Sequence, residues 1–219
     1  MALQAASIHA QRMRITRLDS DGTEAAGATA SYVTSDLIQV AINPEVTEGE
    51  EREVISGGDA VCVSYKGATK LKRFSLELQG CKIDPYLFEL LLGAPFVLES
   101  TNKIGISFPD QNSTSFSPQQ VMVEFWSDAW NGDAPDTANG GPYWHWVFRS
   151  SSWQLSDNTM QNDFLLPTLR GTTRSNPGMT AALYTVSPVL ASTALGPLGG
   201  VYRDDEMPDA TPAGTVAVA

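Results

Sequence analysis

The chain is poor in the residues that carry most enzyme chemistry. It has two histidines, His9 and His145, and two cysteines, Cys62 and Cys81, in 219 residues. Two cysteines are too few for a disulfide scaffold, and without a secretory leader free thiols are their expected state. No CxxC, HExxH or Cys/His cluster offers a metal site, and no GxxxxGK[ST] or GxGxxG offers a phosphate cradle. No cofactor is therefore expected.

Positive charge is also scarce. Lys and Arg number 14 against 25 Asp and Glu, a net charge of −11. Such a chain is a poor grip for nucleic acid, whose affinity comes mostly from Lys and Arg, and for an anionic membrane surface. No apolar run approaches the ~18 residues of a membrane helix. The start, Met1 to His9, lacks a basic leader and does not read as a signal peptide. Charged residues make up only 18%, below the usual ~25%. Burial of much of the surface against other subunits, where charge is depleted, would account for that deficit.

Short strands dominate what is present. Residues 10–18, 30–42, 60–65 and 121–126 are rich in apolar and β-branched side chains. The sequence Asp19-Ser20-Asp21-Gly22-Thr23 is a turn; it superficially resembles a calcium loop, but the glycine comes too early and no closing glutamate follows. In 72–79, Phe74, Leu76 and Leu78 alternate with Ser75, Glu77 and Gln79, the period of a half-buried strand. A helix is predicted over 84–92, with Asp84 as N-cap, Pro85 in the first turn and Gly93 as the stop. It is apolar on most faces. Tyr143–Phe148, Trp153–Leu155 and Phe164–Thr173 read as three further strands, and 131–142 as a long flexible loop. Pro, Gly, Ala and Ser dominate from about 174 onward. The count is eight to ten strands and one helix: a mainly β sandwich or barrel with a helix packed on it, in a single domain over 1–219. An N-terminal arm over about 1–10 and an extended C-terminal arm over about 174–219 complete the expected organisation.

Three side-chain groups stand out. The run 45–53 holds Glu45, Glu48, Glu50, Glu51 and Glu53 and reads as a solvated loop or hairpin tip. Lys66, Lys70, Lys72, Arg73 and Lys82 form a basic group that could bind phosphate or meet the acidic run of a neighbouring copy; the net charge favours the second. All five tryptophans lie between 126 and 153. They could form a stacking platform for sugars, but alternation puts Trp144, Trp146 and Phe148 on one strand face, as packing requires. His145, between Trp144 and Trp146, could be a general base; with no serine elbow or cysteine motif it reads as a strand residue beside aromatics. Asn112-Ser113-Thr114 matches a glycosylation acceptor, relevant only to a secreted chain.

The stretch from Arg14 to Gly93 resembles the major tail protein, or tail tube protein, of long-tailed (siphovirus-type) bacteriophages. The resemblance rests on Arg14-Ile15-Thr16-Arg17-Leu18 with Asp19 to Thr23, on Glu48-Gly49-Glu50-Glu51 leading to Gly57-Gly58, and on Lys72 to Leu78 running into Asp84-Pro85 and the apolar helix. Trp146 to Arg149 and Trp153 to Gly171 are similar to the second half of such proteins. The resemblance implies a non-catalytic virion protein. Six copies would close into a ring, rings would stack into a hollow tube, and genomic DNA would pass through the lumen without specific binding. Its partners would be itself and the tape measure, tail terminator and distal tail proteins, with no membrane. It would be assembled in the host bacterial cytoplasm and reside in the virion tail. The contact candidates between rings or subunits are Glu45, Glu48, Glu50, Glu51, Glu53, Lys66, Lys70, Lys72 and Arg73. The alternatives are a monomeric carbohydrate-binding β-sandwich, another ring-forming part such as a tail terminator or head decoration, and, least favoured, an esterase-like or glycosidase-like enzyme.

Overall fold

A computed structural model describes residues 6–25, 27–100, 102–108, 119–137, 141–156, 166–176, 198–204, 207–209 and 215–218. Within them run β1 (Ala6–Arg17), β2 (Gly27–Thr34), β3 (Leu37–Thr47), β4 (Glu51–Ile55), β5 (Val61–Lys66), β6 (Lys70–Gly80), α1 (Pro85–Leu92), β7 (Phe96–Glu99) and β8 (Asn102–Ile106). Then follow β9 (Val121–Asn131), β10 (Ala134–Pro135), β11 (Tyr143–Leu155), β12 (Thr168–Thr173), β13 (Gly199–Asp204) and β14 (Thr215–Val218). The fold is mainly β with a single short helix among the described residues, as the sequence patterning predicts.

Ten strands form one antiparallel sheet in the order β14-β2-β1-β9-β11-β12-β6-β3, with β10 on β9 and β13 on β11. The sheet curls until β1 meets β3, and α1 fills the concave side. Alternation decides the faces. Phe74, Leu76 and Leu78 of β6 point inward with Met13 and Ile15 of β1 and Val123 and Phe125 of β9, and all pack with the helix side chains Leu87, Phe88, Leu90, Leu91 and Leu92. The helix is apolar nearly all round because it has sheet on more than one side. Its polar exception, Glu89, pairs with Arg17 at 2.5 Å.

The helix ends follow local chemistry. The Asp84 carboxylate accepts from the Tyr86 backbone N–H at 2.9 Å, and Gly93, at φ 70°, closes the C-terminus by donating to the Glu89 carbonyl at 2.8 Å. A side chain with Cβ rarely adopts that φ, so glycine is the natural stop. Asp84 also accepts from the Tyr32 hydroxyl. Burial, then that hydrogen bond, pushes the Tyr32 phenol well above its ordinary range. Asp84→Ala removes the cap and strands the phenol. It is expected to cost about 1–2 kcal/mol, read as a lower urea midpoint; an unchanged midpoint would contradict the assignment.

Several boundaries differ from the sequence reading. Residues 30–42 divide at Ser35-Asp36 into β2 and β3. Tyr143 to Leu155 is one strand, irregular between Phe148 and Ser151, rather than two. β12 begins at Thr168; the expected start at Phe164 lies outside the described residues. The loop expected over 131–142 is partly structured: β10 pairs with β9, and Asp136 is buried against Arg203. Described parts of the two segments expected as arms belong to the sheet. Residues 6–10 already pair with β9, and the C-terminal segment returns as β13 on β11 and β14 on β2. The cause is common to all three: a strand edge with unpaired N–H and C=O groups captures any extended segment that reaches it. The glycosylation triplet Asn112-Ser113-Thr114 and residues 1–5 and 177–197 lie outside the described residues.

Candidate functional site

β3 and β6 pair as far as Thr47 opposite Lys70. Beyond that point the chain continues as a second ribbon, β4 against β5, with Glu51 opposite Lys66, Arg52 opposite Tyr65, Glu53 opposite Ser64 and Val54 opposite Val63. All eleven residues of the two strands are exposed. The pleat gives this ribbon two unlike faces. Glu51, Glu53, Ser64 and Lys66 share one. Val54, Val63 and Tyr65 share the other with Arg52; the three apolar side chains are each at least 60% exposed, and Ile55 and Val61 follow toward the tip. Five large apolar side chains in the open among the eleven strand residues of one hairpin are unusual for a surface whose neighbours are water, and an isolated two-stranded ribbon is only marginally stable.

The predicted contact residues distribute around this projection. Glu45 lies in β3 and pairs with Arg73 of β6 at 2.6 Å. Glu48 and Glu50 lie between β3 and β4 or at their junction, and Glu50 holds Arg52 at 2.8 Å. Glu51 meets Lys66 at 3.5 Å, and Glu53 accepts weakly from Ser64 at 3.4 Å. Lys70 and Lys72 are exposed at the start of β6. The acidic run is solvated, as expected, and of the two expected forms it belongs to a hairpin: the end of one strand, a connection and the start of the next. Part of the basic group meets the acidic run within the same chain, because antiparallel pairing sets positions 45 and 73, and 51 and 66, side by side. These pairs are at or near the surface and are worth little individually.

A second feature is an apolar groove of about 360 Å³ at one end of the core. Ile42, Leu71, Phe74, Trp146, Phe148 and Val201 line it, with Leu198, Gly199 and Gly200. Apart from the indole N–H of Trp146 its side chains offer no hydrogen bond, which suits an apolar partner better than a sugar. The other tryptophans confirm the packing reading in part: Trp126 and Trp153 are buried, and Trp144 lies under the Arg203 guanidinium at 5.1 Å.

The third feature escaped the sequence reading. On the sheet face opposite the helix, four ionisable side chains are buried in a row. Arg14 of β1 donates to Glu124 of β9 through Nε at 2.5 Å and Nη2 at 2.7 Å. Glu124 Oε1 lies 3.0 Å from His145 Nε2 on β11, and His145 Nδ1 lies 2.9 Å from Asp204 Oδ2 on β13. Tyr202 Oη also contacts Nδ1. The Trp126 indole stacks on the imidazole at 4.0 Å and sits 5.2 Å from the Arg14 guanidinium. Burial alone would raise the Glu124 carboxyl, but Arg14 and then His145 outweigh it and hold it down to about 2. His145 is fully buried, so no substrate reaches it, and the arrangement is internal wiring rather than a general base in a cleft. The sequence signal was there: Glu124 interrupts Val-Met-Val-Glu-Phe-Trp, and a charge inside a buried strand needs partners.

Among the described residues no group of three or more His, Cys, Asp or Glu could hold a metal ion, and no helix is long and apolar enough to cross a membrane. Cys62 and Cys81 are both free and exposed. No protein-family model and no curated protein matches the chain.

Proposed function

We propose that the chain is a non-enzymatic structural subunit that assembles with copies of itself, and that the assembly is the tail tube of a long-tailed bacteriophage: rings, six-membered by the family resemblance, stacked into a conduit for DNA. The observation that carries the reading is the projecting hairpin, exposed along both strands, with Val54, Val63 and Tyr65 gathered on one face beside Arg52. The last strands in the sheet order, β3 and β14, have no further neighbour among the described residues and add edges that could pair with another copy. The hairpin and the apolar groove are unlike surfaces of one chain, and joining unlike surfaces gives the head-to-tail contact that rings and stacks require. The net charge of −11 suits a conduit wall, since it repels phosphate rather than holding it. The tape measure, tail terminator and distal tail proteins would be its other partners, and the virion tail its location.

The acidic positions provide the test. Reversal of Glu48, Glu50, Glu51 and Glu53 to Lys is expected to leave the fold intact, because their cross-strand pairs are exposed, and to abolish growth of pelletable polymer. Polymer at the wild-type level from the reversed protein would contradict the role of this loop in stacking.

A further inference from the structure

We infer that Val54, Val63 and Tyr65 of the β4–β5 hairpin seat in the apolar groove of a second copy of the chain, with Glu48 and Glu53 of the one copy meeting Lys70 and Lys72 of the other. The inference rests on the self-assembly proposed above and names the two surfaces that meet. The groove opens where one ladder stops and its neighbour runs on. β12 pairs with β6 as far as Thr172 opposite Ser75, while Lys70 to Phe74 of β6 continue in the ladder with β3. On the far side β13 lies on β11, with Gly199 opposite Phe148 and Val201 opposite Trp146. Gly199 and Gly200 bring no side chains into the space. A Cβ at Gly199 would lie 1.9 Å from the Val147 carbonyl oxygen, so this part of the wall is backbone by necessity. The remaining walls are apolar and partly open to solvent: Leu71 is 47% exposed and Val201 43%.

The hairpin fits this space in size and in apolar character. A groove of about 360 Å³ lies at the small end of the range that takes a compact ligand, which gives room for a few side chains rather than a folded element. Val54, Val63 and Tyr65 are such a set, presented together by one ribbon face. The groove lies at the root of its own hairpin, because Leu71 adjoins Lys70, the last residue of the ladder before the ribbon. The three hairpin side chains nevertheless stay exposed in their own chain, so the groove is not filled from within. Burial of each surface against the other copy removes from water what both leave open.

Charge identifies the partner as another copy. Leu71 in the groove wall is flanked by Lys70 and Lys72, both exposed. The ion pairs around the hairpin are Glu45 with Arg73, Glu50 with Arg52 and Glu51 with Lys66. Glu53 has a weak contact with the Ser64 hydroxyl at 3.4 Å. Glu48 and Glu53 on the hairpin side, and Lys70 and Lys72 beside the groove, are left without an ion-pair partner among the described residues. The hairpin thus carries spare acid and the groove rim spare base. An apolar centre with opposite charges at its rim is the usual anatomy of a specific protein contact. A small apolar ligand would account for the groove and leave both the lysines and the hairpin without a role. The contact is heterologous: a hairpin seated in the next groove leaves one groove and one hairpin free, so the same contact repeats from copy to copy.

Sedimentation velocity on two complementary variants of the full chain tests this. Val54→Lys with Val63→Lys spoils the hairpin and keeps the groove; Leu71→Lys spoils the groove and keeps the hairpin. Each alone should lose polymer to background. Mixed one to one, they should form a pair of about twice the 23.5 kDa chain mass and grow no further, since one sound hairpin and one sound groove remain. Polymer at the wild-type level from Leu71→Lys would give the groove to another apolar occupant and overturn the contact. Separate monomers in the mixture would overturn it too, as a hairpin that folds onto its own groove predicts. In both cases wild-type polymer would leave self-assembly standing, whereas a wild type that stays monomeric throughout removes self-assembly and the contact together. Should Leu71→Lys fail to fold, the exposed charges serve instead. Lys70→Glu with Lys72→Glu should lose polymer, and adding the reversal of Glu48, Glu50, Glu51 and Glu53 to Lys should restore most of it. A folded, fully reversed protein without polymer would overturn the inference.

Discussion

Arg14→Met is expected to lower unfolding stability by about 3–5 kcal/mol, because it leaves Glu124 charged, fully buried and half-satisfied. The side chain it replaces is itself almost fully buried, and both of its hydrogen bonds to Glu124 are short, at 2.5 and 2.7 Å. Methionine fills much of the arginine volume, so the loss reflects charge rather than a cavity. The double variant Arg14→Met with Glu124→Leu should recover a large part of the loss, since removing both partners of a buried pair is far less costly than removing one. Urea unfolding at neutral pH measures both. A single-variant loss below about 1 kcal/mol, the range of a surface pair, would contradict a buried, energetically coupled row.

The same carboxylate sets an acid limit. Its folded-state value of about 2 lies below the ordinary 4.5, so the unfolded chain takes up the proton first as pH falls. Glu124 therefore contributes stability that is full above about pH 4.5 and lost as pH drops toward 2, a contribution on the order of 3 kcal/mol from the linkage of pKa to stability. In Glu124→Leu with Arg14→Met that part of the acid sensitivity should disappear.

The second large effect concerns assembly. Val54→Lys with Val63→Lys places two ammonium groups on the apolar face of the hairpin. Both positions are 60% exposed, so the subunit should fold with an unchanged thermal midpoint. Polymer formation should fall to background, because charge at the centre of an apolar contact is desolvated without a partner. The paired control Val54→Thr with Val63→Thr keeps both side-chain shapes without adding charge and should assemble. Sedimentation velocity separates the two, and assembly of the double-lysine protein at the wild-type level would remove the hairpin from the contact.

What could be read from the sequence was what local rules determine. α1 was legible because its cap, its first-turn proline and its stop are adjacent in the chain. β6 was legible because its two-residue alternation is uninterrupted. The hairpin was half-legible: the glutamates at 48–53 looked like a loop because their strand character depends on partners at 61–66, which neighbouring residues do not reveal. The buried row was not legible as a row. Arg14, Glu124, His145 and Asp204 come from four strands, and only the sheet register brings Trp126 opposite His145 and Tyr202 opposite it on the other side. A lone histidine between tryptophans therefore read as packing, which is true of its Trp126 contact and silent about its two carboxylates. The C-terminal segment was read as an arm because its composition is that of a linker, while its return to the sheet is decided by open strand edges elsewhere.

The most direct test of the central claim is negative-stain electron microscopy of the purified chain, with light scattering on the same sample over a range of concentrations. Self-assembly predicts hollow filaments or closed rings, and a scattering mass that is a multiple of the 23.5 kDa chain. A monodisperse monomer at every concentration, unchanged by Val54→Lys with Val63→Lys, would contradict it. In that case titration of tryptophan fluorescence with sugars would examine the carbohydrate-binding alternative.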